Sequence, residues 1–73
     1  MTLRHLEHIA GRINNNLVNK ELIIGRRYNY HTIDVYDKYK KSMVKTLLTG
    51  TKKKIGIYLL AFEESAVYSR FLR

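Results

Sequence analysis

The side chains with chemistry to offer in this chain are mostly cationic. From Asp37 to Lys54 it carries Lys38, Lys40, Lys41, Lys45, Lys52, Lys53 and Lys54, seven lysines against the single acid Asp37. Arg26 and Arg27 stand a short way upstream, and Tyr28, Tyr30, Tyr36 and Tyr39 lead into the lysine run. Ammonium groups release counterions from phosphates and aromatic rings offer stacking faces, so a surface of this kind suits a polyanion.

The segment Thr49-Gly50-Thr51 followed by Lys52-Lys53-Lys54 falls where a helix should begin. Lysines in a first turn oppose the helix dipole, while free N–H groups there attract anions. A phosphate-holding corner and a plain solvated lysine run fit this segment equally well. It is not a P-loop, because the spacing G-x-x-x-x-G-K-[ST] is absent. For the tyrosines, packing is the better expectation than base stacking, since strands favour tyrosine and no RNA-recognition aromatic signature accompanies them.

Other reactive groups are sparse. His5 and His8 lie one helical turn apart without a third ligand, which points to two exposed histidines rather than a metal site. Glu63 and Glu64 are adjacent on a helix and diverge, Asp34 and Asp37 flank a turn, and no serine or histidine has a partner for a nucleophilic set. The expectation is no catalytic residue, no metal and no cofactor.

A chain of 73 residues makes one compact basic domain, 1–73, with a thin core: so short a chain buries only about 60% of its unfolded surface. It has no cysteine to reinforce that core. Tyr68, Phe71 and Leu72 add apolar surface near the end, so a homodimer is expected. The net charge of +8 predicts attraction to nucleic acid, to an acidic protein surface or to an anionic membrane. The first ten residues include His5, Glu7 and His8 and do not read as a signal peptide. The longest apolar run, Ile57 to Phe62, is far below the roughly 20 residues that span a bilayer, so a soluble intracellular protein is expected.

Hydrophobic spacing sets the elements. Thr2 can cap a helix whose stripe is Leu3, Leu6, Ile9/Ala10, Ile13 and Leu17, ended by Asn14-Asn15-Asn16 through a left-handed residue. Leu22 to Gly25 reads as a third strand or a lead-in loop. Tyr28 to Val35 alternates as a strand, Tyr36-Asp37-Lys38 as a turn, and Tyr39 to Leu48 as the returning strand. Thr51 can cap a second helix that buries Ile55, Tyr58/Leu59, Phe62 and Ala66, with Leu6, Ile13, Ile55, Leu59 and Phe62 as core. The fold class is α+β: an N-terminal helix, two or three antiparallel strands and a C-terminal helix, both helices on one sheet face.

The order of these pieces carries a resemblance. Arg12-Ile13-Asn14-Asn15-Asn16, Tyr28-Asn29-Tyr30-His31, Tyr36-Asp37-Lys38-Tyr39, Thr49-Gly50 and Lys54-Ile55-x-x-Tyr58-Leu59-x-Ala61-Phe62 follow one another. This resembles a group of small proteins of tailed bacteriophages, with a helix ending in Ile-Asn-Asn, a Tyr-His strand, a Tyr-Gly-Gly-Tyr turn and a closing helix. Asp37 and Lys38 stand where that group has glycines. The resemblance covers residues 3–64 and implies a phage or prophage origin, a helix–hairpin–helix order and expression in a bacterial cytoplasm. It implies no biochemical activity.

The expectation that follows is a non-enzymatic phage-type accessory protein that binds nucleic acid with little sequence specificity. Lys38, Lys40, Lys41, Lys45, Lys52, Lys53 and Lys54 would meet phosphates, with Arg26 and Arg27 as further contacts. The same lysines would serve a phage inhibitor that docks on an acidic host protein, such as a defence nuclease or a polymerase subunit. The Thr49–Lys54 corner would serve a binder of small phosphorylated nucleotides.

Overall fold

A computed structural model describes residues 2–65. Helix α1 spans Leu3–Asn14, strands β1, β2 and β3 span Lys20–Arg26, His31–Asp37 and Ser42–Gly50, and helix α2 spans Lys52–Glu64. The strands form one antiparallel sheet in the order β1-β2-β3. Both helices lie on the same sheet face, α1 over β1 and against α2, and α2 over β2 and β3. The Leu22–Gly25 run is thus part of a full strand.

Helix α1 begins as its sequence implies. The Thr2 hydroxyl accepts the His5 amide, satisfying one of the free N–H groups of the first turn. Leu6, Ile9, Ala10 and Ile13 are buried along one stripe. The asparagine run ends the helix differently from expectation. Asn15 keeps right-handed angles, and among the described residues outside glycine only Lys41 has a positive φ. The stop comes from Asn14, whose side chain turns to the backbone of Leu22 instead.

The core joins the α1 stripe to Leu17, Leu22, Ile33, Val35, Ile55 and Leu59. Phe62, expected in that core, is only half-buried and stacks on Tyr58 with ring centroids 5.9 Å apart. It sits in the last turn of α2, near the edge of the α1–α2 contact, where Arg12 of α1 forms a bidentate pair with Glu63 at 2.8 and 2.9 Å. That pair raises the Arg12 pKa and holds Glu63 below its ordinary value. Ala66, Tyr68, Phe71 and Leu72 lie outside the described residues.

The expected Tyr36–Lys38 turn falls later in the chain. Asp37 is still the last residue of β2, and its Oδ1 accepts the amides of Tyr39 and Lys40 at 2.9 and 3.0 Å. These two bonds fold residues 38–41 into the turn, closed by Lys41 at φ 55°. Strand β3 therefore starts at Ser42 rather than Tyr39. The regular alternation expected along it fails as well: Leu48 faces Ile33 but Thr46 faces Asp34, and Lys45 faces Val35 but Met43 faces Tyr36. One extra residue, Leu47 and then Val44, is inserted at each step, which bends an edge strand and blunts its capacity to pair further.

Candidate nucleic-acid interface

The register divides the lysine run in two. Arg26, His31 and Gly50 lie side by side across the three strands at one end of the sheet. Lys20, Asp37 and Ser42 lie side by side at the other. The two ends are about 20 Å apart, the rise of β2, and neighbouring strands are about 4.8 Å apart.

At the first end the chain brings together segments distant in sequence. The β1–β2 connection closes with the Arg27 amide donating to the Tyr30 carbonyl at 3.0 Å, which leaves Tyr28 and Asn29 at its tip. Across β2, Gly50 leads through Thr51 into the first turn of α2 and so to Lys52, Lys53 and Lys54. All three lysines and Arg26 and Arg27 are exposed. The stem of Lys54 folds over Gly50, where a Cβ would stand 2.7 Å from Cδ of that exposed lysine and push it aside. His31 sits between the two segments, half-buried, its Nδ1 shielded and without a hydrogen-bond partner among the described residues.

The tyrosines correct the packing expectation. Tyr28 is fully exposed at this corner, Tyr30 is 40% exposed, and Tyr39 is 87% exposed at the opposite end. Among the described tyrosines, Tyr36 and Tyr58 alone are half-buried. Tyr28 escapes the sheet because the strand begins at His31, three residues later than expected.

The second end carries Lys38, Lys40 and Lys41 on the β2–β3 turn, all exposed, with Tyr39 between them. Here Lys20 is tied to Asp37 at 3.1 Å. The amide of Lys40 first, then the Lys20 ammonium and the Tyr39 amide, hold the Asp37 carboxyl below the ordinary carboxylate pKa against the opposing effect of burial. Between the ends, on the sheet face away from the helices, a depression of about 320 Å³ is lined by residues that include Arg27, Lys45, Asp34 and Thr46. Asp34 is buried and accepts hydroxyls from Thr32 at 3.0 Å and Thr46 at 2.7 Å, with Arg27 at 3.9 Å. Lys45 is exposed halfway along β3.

The helix corner offers an incoming anion less than its sequence promises. The Thr51 hydroxyl accepts the Lys54 amide at 3.2 Å and the Thr51 carbonyl accepts the Ile55 amide at 2.9 Å. The lysine side chains, more than free amides, carry the attraction. No cluster of three His, Cys, Asp or Glu side chains suited to a metal occurs among the described residues, where His5 and His8 are exposed on α1. No helix among them is long and apolar enough to cross a membrane.

The separation of the two lysine groups had a signal in the sequence. A strand of nine residues intervenes between Lys41 and Thr51, so the two groups cannot share one end of a sheet. Once Leu22–Gly25 is a strand, Arg26 and Arg27 fall beside Lys52–Lys54. No family model matches this chain, and neither a curated protein nor a solved structure matches it.

Proposed function

We propose that this chain is a small non-enzymatic protein of phage type that binds nucleic acid in a bacterial cytoplasm, chiefly through the corner formed by Arg26, Arg27, Tyr28, Lys52, Lys53 and Lys54. One observation carries the reading: two basic segments far apart in sequence meet at one sheet end beside a fully exposed tyrosine. Among the described residues, Arg27 is the one of these cations with a carboxylate partner, Asp34 at 3.9 Å. Three lysines in the first turn of α2, with no acid there, work against the helix dipole. A bound phosphate strand relieves that repulsion, and Tyr28 gives a base a stacking face.

Binding of this kind is governed by phosphates and tolerates sequence, because the corner offers no element shaped to enter a groove and read base edges. Lys38, Lys40, Lys41 and Lys45 extend positive charge along the sheet.

Pull-down of the tagged chain from bacterial lysate, with and without nuclease, tests the reading. Loss of every partner after nuclease is expected. A stoichiometric acidic host protein retained after nuclease would replace it with the inhibitor reading.

A further inference from the structure

Helix α2 carries the wrong charge at both ends. Its first turn holds Lys52, Lys53 and Lys54 and its last holds Glu63 and Glu64, with no acid in the first and no base in the last. Each set opposes the dipole of its own helix. Between them the face turned away from the core is apolar where a solvated helix would be polar: Ile57 is 60% and Leu60 39% exposed. Lys53, Ile57, Leu60 and Glu64 succeed one another at intervals of four, three and four residues, so they form one stripe. The stripe lies opposite the buried Ile55 and Leu59.

That stripe is self-complementary. A two-fold axis crossing it midway between Ile57 and Leu60 sets Lys53 of one copy against Glu64 of the other, and Ile57 against Leu60, each twice. We propose that the outward face of α2 is a self-association surface on which a second copy of this chain packs its own α2 antiparallel. The same contact corrects both ends of each helix. The partner's glutamate arrives at the lysine-laden N-terminus, and the partner's lysine arrives at the glutamate-laden C-terminus. Glu63 is already met by Arg12 of its own chain, and a neutral or foreign apolar partner would cover Ile57 and Leu60 but leave Lys53 and Glu64 unanswered.

Antiparallel helices in contact lie about 8–10 Å apart, close enough for the charged pair to meet while the apolar pair is covered. The seam takes up Lys53 and leaves Lys52 and Lys54 on its two flanks, so it does not depend on the nucleic-acid reading. A single helix pair gives an interface at or below the low end of stable ones, about 1,200 Å², so association at tens to hundreds of micromolar is expected.

Zero-length carbodiimide cross-linking of the nuclease-treated full chain tests the seam. Lys53 and Glu64 are about 16 Å apart along one helix, so an isopeptide bond between them joins two chains. In an equal mixture of isotopically heavy and light protein, peptide mass spectrometry should find the 53–64 link with mixed labels. Sedimentation equilibrium at low salt should show Lys53→Glu and Glu64→Lys each weakening the dimer about tenfold, with the double exchange restoring it to within about twofold. Ile57→Gln should yield a monomer with an unchanged helical spectrum, since the position is exposed. A wild-type monomer at about 200 µM would overturn the proposal, whether residues 66–73 or solvent meets this face. So would a dimer that lacks the 53–64 link and ignores both charge reversals.

Discussion

The side chain of Asn14 pairs with both backbone groups of Leu22, accepting its N–H at 2.7 Å and donating to its carbonyl at 3.0 Å. In effect the last residue of α1 acts as a one-residue neighbour strand on the outer edge of β1. It ends the helix, fixes its angle to the sheet and removes two edge groups that would otherwise seek another strand.

Replacing Asn14 by alanine leaves both groups of a largely buried residue, Leu22 at 2% exposure, without their partner. The expected loss is about 1–3 kcal/mol in urea unfolding. Asn14→Asp should also be less stable than the wild type at neutral pH, because a carboxylate then faces the Leu22 carbonyl. An Asn14→Ala domain as stable as the wild type would remove this contact from the account.

Two glycines should respond in opposite directions to alanine. A Cβ at Gly25 would overlap Thr32 Oγ1 and stand 2.6 Å from Asp34 Oδ2, two short buried side chains already hydrogen-bonded to each other. Neither can swing away without losing that bond, so Gly25→Ala should destabilise by about 1–3 kcal/mol. At Gly11, inside α1, nothing lies within 4 Å of the added carbon. Gly11→Ala should stabilise by about 0.5–1 kcal/mol through helix propensity and a less flexible unfolded chain. Thermal melts of both variants beside the wild type check the pair, and equal signs would contradict the packing described for one of them.

Asp37 sets the acid limit of the β2–β3 turn. Its folded pKa is depressed, chiefly by the Lys40 amide and then by Lys20, so its contribution to stability is complete above the unfolded carboxylate pKa of about 3.9. That contribution disappears as pH falls through the lower folded value. Glu63, depressed by Arg12, adds in the same direction. Carbon-detected titration of the carboxyl resonances should place Asp37 below the ordinary value. The melting temperature of Asp37→Ala should depend less on pH below about 4 than that of the wild type. An Asp37 titrating at or above the ordinary value would contradict the turn geometry.

Much of the fold was legible because helical spacing is robust. Leu6, Ile9, Ala10, Ile13, Ile55 and Leu59 are buried as their period requires, and Thr2 and Thr51 cap where a hydroxyl precedes each stripe. What escaped depends on contacts between segments. Asp37 moved the turn by accepting two amides, an outcome its spacing did not announce. Val44 and Leu47 each insert one residue against β2, and bulges leave no compositional mark. Phe62 kept the right period but lies in the last turn of its helix, where it packs on the margin of the core and stacks on Tyr58. The cations were legible as residues and not as a surface, because the antiparallel register decides which of them meet.

The salt dependence of oligonucleotide binding separates a defined corner site from diffuse attraction to a basic protein. Two variants remove the same charge, each lowering the net +8 by three: Arg26→Gln with Lys52→Gln and Lys54→Gln at the corner, and Lys38→Gln with Lys40→Gln and Lys41→Gln at the opposite turn. Each neutralised phosphate contributes about 0.9 to the slope of log affinity against log salt on a duplex. The corner variant should lose about two to three units of slope while keeping its fold, and the turn variant less than about one. Equal losses in the two variants would mean that net charge alone drives binding and that the corner is not a site. No binding by the wild type at moderate salt would contradict the account outright.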